Sequence, residues 1–407
     1  KNTSWIGFAT GIEYVLSYLL ILIISRLLGA EGLGQYSFVF AFASFFFIFS
    51  DWGMSPLMVK DLSRDFSSAN KYISNIITFK GLLLILSLLV YVVVLFFIGR
   101  QDVFLALILV GFISLSSKFS AFFKNILRIK HQAKPIVISL VLERVLAVVI
   151  GGFILWQYQS LNLLFVGLLC SELIRLIIVY FFARKHFTYS LSFDWSFLKS
   201  LFAKGYPFIF IGVFSMVYVQ LDTIMLTFMK GDVVTGWYNA SYKLINVLNI
   251  ITVVLLTFGG PLFSKLYKEN KEHLRILFEH LLKYSLLLLF PIVVGVQFLS
   301  FRIVEFVYSF NSLETALVFQ ILIIAQVFVF LTAIMASFIA YSDKEKVFAK
   351  IAGLGAIINI VLNLLLIPKY SLYGAGTATL ITYFVMFIIM YVYIQKKILA
   401  FLLFKNL

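Results

Sequence analysis

The chain is short of charge. Asp, Glu, Lys and Arg make up 13% of its 407 residues, about half the usual ~25% share in soluble domains. So few polar groups cannot cover a water-soluble globule whose residues are 62% hydrophobic and include 46 Phe. The bilayer is the solvent that tolerates such a surface. Cysteine is reduced to Cys170, so no internal disulfide forms, and its place in an apolar run predicts a buried, inert thiol. The four histidines, His131, His186, His273 and His280, fall in polar gaps without metal-ligand spacing. No Walker loop, HExxH, GxSxG or CxxC occurs. Catalytic residues, a metal site and a cofactor are therefore not expected. Acidic residues are outnumbered, leaving a net charge of +15. In a soluble chain this would point to nucleic acid. Here the basic residues fill short gaps between apolar runs, which points to loops beside anionic lipid headgroups.

What is present is a series of apolar runs of roughly 20 residues or more, each long enough to span a bilayer. They fall at about 5–28, 34–58, 73–98, 103–123, 135–156, 162–183, 206–229, 236–262, 284–308, 315–341, 348–367 and 374–394. The runs are continuously apolar, without the alternation of a membrane β-barrel. The first continues too far for a cleavable signal peptide, and a start at Lys1 reads as trimmed. The expectation is an all-α polytopic membrane protein of about twelve spans. They form an N-terminal lobe over 1–183, a cytoplasmic linker over 184–204 and a C-terminal lobe over 205–407.

Alternate loops differ in charge. One set carries Lys60, Arg64 and Lys71, then Lys124, Arg128, Lys130 and Lys134, then Arg184, Lys185, Lys199 and Lys204. It continues with Lys265, Lys268, Lys271, Arg275 and Lys283, then Lys344, Lys346 and Lys350, with Lys1, Lys396, Lys397 and Lys405 at the termini. The opposite set holds Arg26, Arg100, Lys230 and Lys369. The positive-inside rule places both termini in the cytoplasm of a plasma (inner) membrane. Two longer cytoplasmic connections, Arg184 to Lys204 and Ser264 to Lys283, mix basic residues with Phe and Leu. Each reads as an amphipathic segment on the inner leaflet or as a plain interfacial linker.

The halves share one motif. Gly29, Gly34 and Tyr36 after the first span match Gly231, Gly236 and Tyr238 after the seventh, at a constant offset. Each copy is a tight outer turn before a new helix, with glycine supplying the turn. An offset of six helices keeps the orientation, so the halves are parallel repeats, six helices each, around a central cavity suited to alternating access.

Ionisable residues inside spans face a cavity or each other. Here they are Glu13, Asp51, Lys118, Glu143 with Arg144, Glu172 with Arg175, Asp222, Lys243, and Arg302 with Glu305. Two pairs are spaced i,i+3 and can neutralise each other. Glu143 and Arg144 project about 100° apart, so one pairs across an interface. Lys118, Arg144 and Lys243 have no local partner. They either line a cationic site for an anionic cargo such as a diphosphate, pair with Glu13, Asp51 or Asp222, or snorkel. Glu13, Asp51 and Asp222 are candidates for a coupling proton or sodium ion.

Several stretches carry a family resemblance. They are Ser25-Arg26-Leu27-Leu28-Gly29-Ala30-Glu31-Gly32-Leu33-Gly34-Gln35-Tyr36 with Asp51-Trp52-Gly53, then Gln220-Leu221-Asp222-Thr223 with Gly236-Trp237-Tyr238-Asn239-Ala240. Near the end come Asn363-Leu364-Leu365-Leu366-Ile367-Pro368 and Tyr373-Gly374-Ala375-Gly376-Thr377. They resemble the polysaccharide-biosynthesis (Wzx-type) flippases of the multidrug/oligosaccharidyl-lipid/polysaccharide (MOP) exporter superfamily. The resemblance implies a monomeric flippase that moves a polyprenyl-diphosphate-linked oligosaccharide from the cytoplasmic to the outer leaflet. Arg26 matches a family motif position and suggests a structural or gating role. Lys118, Arg144, Arg175 and Lys243 are the expected substrate contacts from their placement inside spans, not from the resemblance. The competing reading within transport is a cation-coupled exporter of small amphiphiles. A membrane glycosyltransferase or polymerase would need a sizeable outer loop with catalytic groups, and the outer gaps are only a few residues long.

Overall fold

A computed structural model describes residues 2–63, 65–188, 190, 192–249, 251–252, 262–263, 266, 269–308, 310, 313–342 and 344–399. The loop cations Arg64, Lys265 and Lys268, the terminal Lys1 and Lys405, and much of the expected span 236–262 lie outside these residues. The described chain is helical and contains no strand. Its helices are α1 (Asn2–Phe47), α2 (Met54–Leu62), α3 (Ala69–Phe97), α4 (Phe104–Ile129), α5 (Ala133–Tyr158), α6 (Leu161–Ala183), α7 (Trp195–Lys230) and α8 (Asp232–Asn246). There follow α9 (Lys271–Val307), α10 (Leu313–Tyr341) and α11 (Glu345–Tyr393).

Nine helical segments among the described residues are long and apolar enough to cross a membrane. Two of them, Ala9–Ser50 and Glu345–Lys397, have 42 and 53 residues. That is twice the ~20 residues that one crossing needs. Each is broken near its middle, at Gly29 (φ 68°, ψ −163°) and at Ser371 (φ 53°, ψ −133°). Each therefore supplies two crossings, which accounts for eleven of the twelve expected. The expected span 236–262 begins in α8, and part of the remainder lies outside the described residues.

Packing divides the chain into two units, 1–213 and 214–407, so the boundary falls inside α7. In the first unit, Leu57, Met58, Ile76, Phe122, Ile126 and Leu140 form a core that also takes in Leu198 and Leu201 of α7. Small residues let α5 and α6 approach closely. A Cβ on Gly167 would meet Ile150 at 2.9 Å, and one on Gly151 would meet Leu164 at 2.9 Å. In the second unit, Phe278, Phe330, Phe338, Met386 and Met390 form the core. Cys170, expected to be buried, is exposed on α6. Unpaired Cys behaves as a small apolar side chain, and exposed Leu163, Val166, Leu173 and Ile177 stand on the same helix.

The Arg184–Lys204 connection is stitched to the start of α3. Asn70 Oδ1 accepts from Thr188 N at 3.0 Å, and Asn75 Oδ1 accepts from Asp194 N at 2.6 Å. Asp194 caps α7 by accepting from Phe197 N at 3.0 Å, and Lys71 Nζ lies 3.0 Å from its other oxygen. Hydrogen bonds from Ser196 and Phe197 N, with Lys71, hold the Asp194 carboxyl below the usual carboxylate range.

Gly231 repeats the turn of Gly29. Its φ is 89° and ψ 174°, a region essentially reserved for glycine. The sequence repeat is thus also a repeat of backbone conformation.

Candidate functional site

The spans of the first unit bring their charges together. Arg144 of α5 donates from Nη2 to Glu13 Oε1 of α1 at 3.4 Å. Its Nε stands 3.2 Å from Glu143 Oε2, without hydrogen-bond alignment. Glu143 Oε2 also lies 3.8 Å from Arg175 Nη1 on α6. Arg175 pairs most closely with Glu172, one turn earlier, at 2.7 Å. Serines of α4 complete the network: Ser120 Oγ donates to Glu172 Oε1 at 2.8 Å, and Arg175 Nη2 donates to Ser117 Oγ at 3.2 Å. The adjacent Glu143 and Arg144 project apart as a helix requires, one toward α6 and the other toward α1. Arg144 and Arg175 are thus held by three carboxylates.

α4 runs unbroken to Ile129, which makes Lys124 a helical residue and not part of a loop. It shares a face with Ser117 and Ser120 and is half-buried. It lies in electrostatic range of Glu13, Arg175 and Glu172. With Lys124, three cations face three anions.

A second cluster joins the end of α1 to α2 and α3. Helix α1 stops at Phe47, and a single turn, Ile48–Ser50, leads to Gly53 in the left-handed region. Asp51 then accepts from Ser55 N at 3.2 Å and from Lys80 Nζ at 2.6 Å. Lys80, absent from the expected set, is 2% exposed and sits 5.7 Å over the Phe122 ring. Asp51 thus links α2 to α3. Lys118, one helix away on α4, is half-buried and feels both Lys80 and Asp51. It has no hydrogen-bond or ion-pair partner among the described residues. Arg26 is exposed, three residues before the Gly29 break.

The second unit differs. Asp222 of α7 is 2% exposed and accepts from three neutral donors. Tyr238 Oη donates to Oδ2 at 2.7 Å, Thr379 Oγ1 to Oδ2 at 2.6 Å and Asn363 Nδ2 to Oδ1 at 2.6 Å. No cationic side chain pairs with it among the described residues. Asn363 and Asn359, one turn apart on α11, are joined at 3.1 Å, yet Asn363 Oδ1 and Asn359 Nδ2 are buried without partners. The break at Ser371 returns Thr379 to the same site. Lys243 of α8 is half-buried and unpartnered among the described residues. Arg302 and Glu305 are both exposed and form no ion pair with each other.

Sequence reasoning missed Lys80, Lys124, Asn359, Asn363 and Thr379. The signal for Lys124 was the Ser117–Ser120–Lys124 spacing of one helical face. That for the asparagines was their i,i+4 repeat inside an apolar run.

Comparison with known proteins fits this architecture. The chain is 24% identical to the capsular polysaccharide biosynthesis protein CapF of Staphylococcus aureus, over 98% of this chain and 99% of that one. Its fold matches the inward closed conformation of lipid II flippase MurJ with a TM-score of 0.80 at 16% identity, covering 96% of this chain and 87% of that one. An inward-facing multidrug resistance MATE family transporter of the MOP superfamily matches with a TM-score of 0.76 at 12% identity, covering 96% and 95%. At these identities the structures speak for the fold. The sequence model described as "Polysaccharide biosynthesis protein" matches residues 1–267, more than half of the chain, so this membrane protein belongs to the polysaccharide biosynthesis protein family and is built on the fold of the MOP-superfamily transporters.

Proposed function

We propose that the chain is a flippase that carries a polyprenyl-diphosphate-linked oligosaccharide from the cytoplasmic to the outer leaflet of the plasma membrane. It works by alternating access, with both termini in the cytoplasm, and serves surface polysaccharide or O-antigen assembly. One observation supports this reading above others. The interior arginines already pair with carboxylates, whereas a half-buried lysine in each unit, Lys118 and Lys243, has no ion-pair partner among the described residues. Unpaired cations within spans are costly and are kept where a ligand supplies the counter-charge. A diphosphate offers several strong acceptors for such groups. Arg144 and Arg175, held in place by Glu13, Glu143 and Glu172, are further substrate contacts in this reading, offering N–H donors from a rigid frame. Arg26, at the outer turn, belongs to gating.

Asp222 is the coupling group in this reading. A buried carboxylate whose partners are all neutral takes a proton or a small cation when it leaves water. The unpartnered Asn363 Oδ1 is a further oxygen beside it. The site suits a proton or a sodium ion. The protein acts as a monomer and performs no covalent chemistry.

The test is reconstitution in proteoliposomes with a fluorescent polyprenyl-diphosphate glycan on one leaflet. Transfer to the opposite leaflet above protein-free vesicles is expected, together with slower transfer by Lys118→Gln and Lys243→Gln. Efflux of small cationic amphiphiles without glycan transfer would favour a drug/cation exporter and sink the proposal.

A further inference from the structure

The second unit carries a groove that the transport reading does not use. Helices α9 and α10 are joined at two levels. Near the start of α9, Phe278 packs against Phe338 with ring centroids 4.6 Å apart. Toward the other end, Gln297 and Gln320 exchange side chain-to-backbone hydrogen bonds of 2.9 and 3.0 Å. Between these clasps lies a groove of about 530 Å³ along the face of α9. That volume lies within the roughly 300–1,000 Å³ of small-ligand sites. Its walls are Leu286, Leu287, Leu289, Phe290 and Val293 of α9 with Val327 of α10. Pro291 stands in this stretch of α9, where it removes one backbone hydrogen bond.

The single charged group of the lining is Lys283, at one end. It is exposed and has no ion-pair partner among the described residues. Beside it, Tyr284 is 61% exposed and lies against His280 with ring centroids 5.7 Å apart. Exposed aromatic and basic residues together mark the headgroup level of a bilayer. From Lys283 to Val293 the helix rises about 15 Å, half of the ~30 Å hydrocarbon core. The groove is therefore one leaflet deep, apolar along its length and cationic at its mouth. An acyl chain with an anionic headgroup has that shape and charge. A polyprenyl tail is methyl-branched throughout and far longer than one leaflet.

We propose that the α9–α10 groove is a binding site for an anionic phospholipid of the cytoplasmic leaflet. One acyl chain lies between the clasps and the phosphate pairs with Lys283. The side of the membrane follows from the loop charges, not from the identity of the cargo. The groove thus stands whether or not the chain moves a glycan.

Native mass spectrometry of the purified full chain reads this directly. The probes are phosphatidylglycerol and phosphatidylcholine with identical chains, and undecaprenyl phosphate. Wild-type protein should retain one phosphatidylglycerol in preference to phosphatidylcholine by about fivefold, as the attraction of one lysine to an anionic headgroup implies. Lys283→Gln should equalise the two lipids, and Val327→Trp, which fills the groove, should remove both. A phosphatidylglycerol with a mid-chain diazirine should label the unsubstituted protein between Lys283 and Val293, a readout independent of how any variant folds. Equal retention of both lipids by the wild type, a preference that survives Lys283→Gln, or labelling elsewhere overturns the site. Stoichiometric displacement by undecaprenyl phosphate would overturn the phospholipid assignment and give the groove to a cargo tail.

Discussion

In the first unit Glu143 and Glu172 face Arg175 across distances of 3.8 and 2.7 Å; in the second, Asp222 faces only Tyr238, Asn363 and Thr379. Both arrangements surround buried carboxylates with close polar groups. Only the first balances the charge. The position equivalent to Asp222 in the first repeat is Leu20, 3% exposed and wholly apolar. The repeat therefore preserved its turn and its tyrosine while the buried acids diverged. One unit uses its buried charges to hold helices together, and the other keeps a buried carboxylate whose hydrogen-bond partners are all neutral.

The largest test of that contrast is Asp222→Asn. The amide keeps the volume and an acceptor for Tyr238 and Thr379, so the protein should fold. Glycan transfer should drop to the protein-free background. Full transfer by the Asn variant would show that the acid is as structural as those of the first unit. Glu172→Leu asks the converse. It leaves Arg175 short of its closest partner and should destabilise the protein by about 3–5 kcal/mol, the cost of breaking a buried pair. A second change, Arg175→Met, should recover most of this in detergent unfolding curves. No recovery would mean that Glu172 acts alone.

The turns are expected to respond alike in both units. Gly29→Ala and Gly231→Ala should each cost about 1–3 kcal/mol, since both residues occupy a region closed to side chains. A clear inequality in melting temperature would break the equivalence. Lys118→Gln and Lys243→Gln should leave melting unchanged and weaken cargo binding by about tenfold each, the worth of one charge-assisted hydrogen bond. Binding of the labelled glycan lipid to the variants measures it.

The smallest effect concerns pH. Asp194 is held below the usual carboxylate range, so its contribution is present above the unfolded-state value, about 3.9. It is lost only as pH falls through the lower folded-state value. Amide protection factors at the start of α7, corrected for the intrinsic pH dependence of exchange, should therefore match at pH 7 and pH 5. Lower protection at pH 5 would place the titration elsewhere.

Much of this was legible in the sequence. Continuous apolar runs gave the spans, and the glycine offset gave the repeat, because both are local patterns. The Glu172–Arg175 pair was also local, one helical turn apart. Lys80 was not, since its acid, Asp51, lies 29 residues away on another helix. Hydropathy ended the fourth span at about 123, whereas the helix continues to Ile129, so Lys124 passed for a loop cation. The Asp222 site escaped for a third reason. Asn359, Asn363 and Thr379 are neutral, and only the Ser371 break brings the two parts of α11 to one carboxylate.

The turns at Gly29 and Gly231 have one more consequence. No neighbouring atom stands within 4 Å of where a Cβ would point at either residue, so the demand for glycine comes from the backbone itself. Inverting the signs of φ 68° and ψ −163° gives an extended conformation open to every ordinary residue. At these two places the chain follows the geometry of the opposite hand. A D-alanine introduced by chemical ligation should fit where L-alanine strains, and by narrowing the unfolded ensemble it should stabilise the turn. The two halves thus share a point where the backbone takes the conformation of the opposite hand.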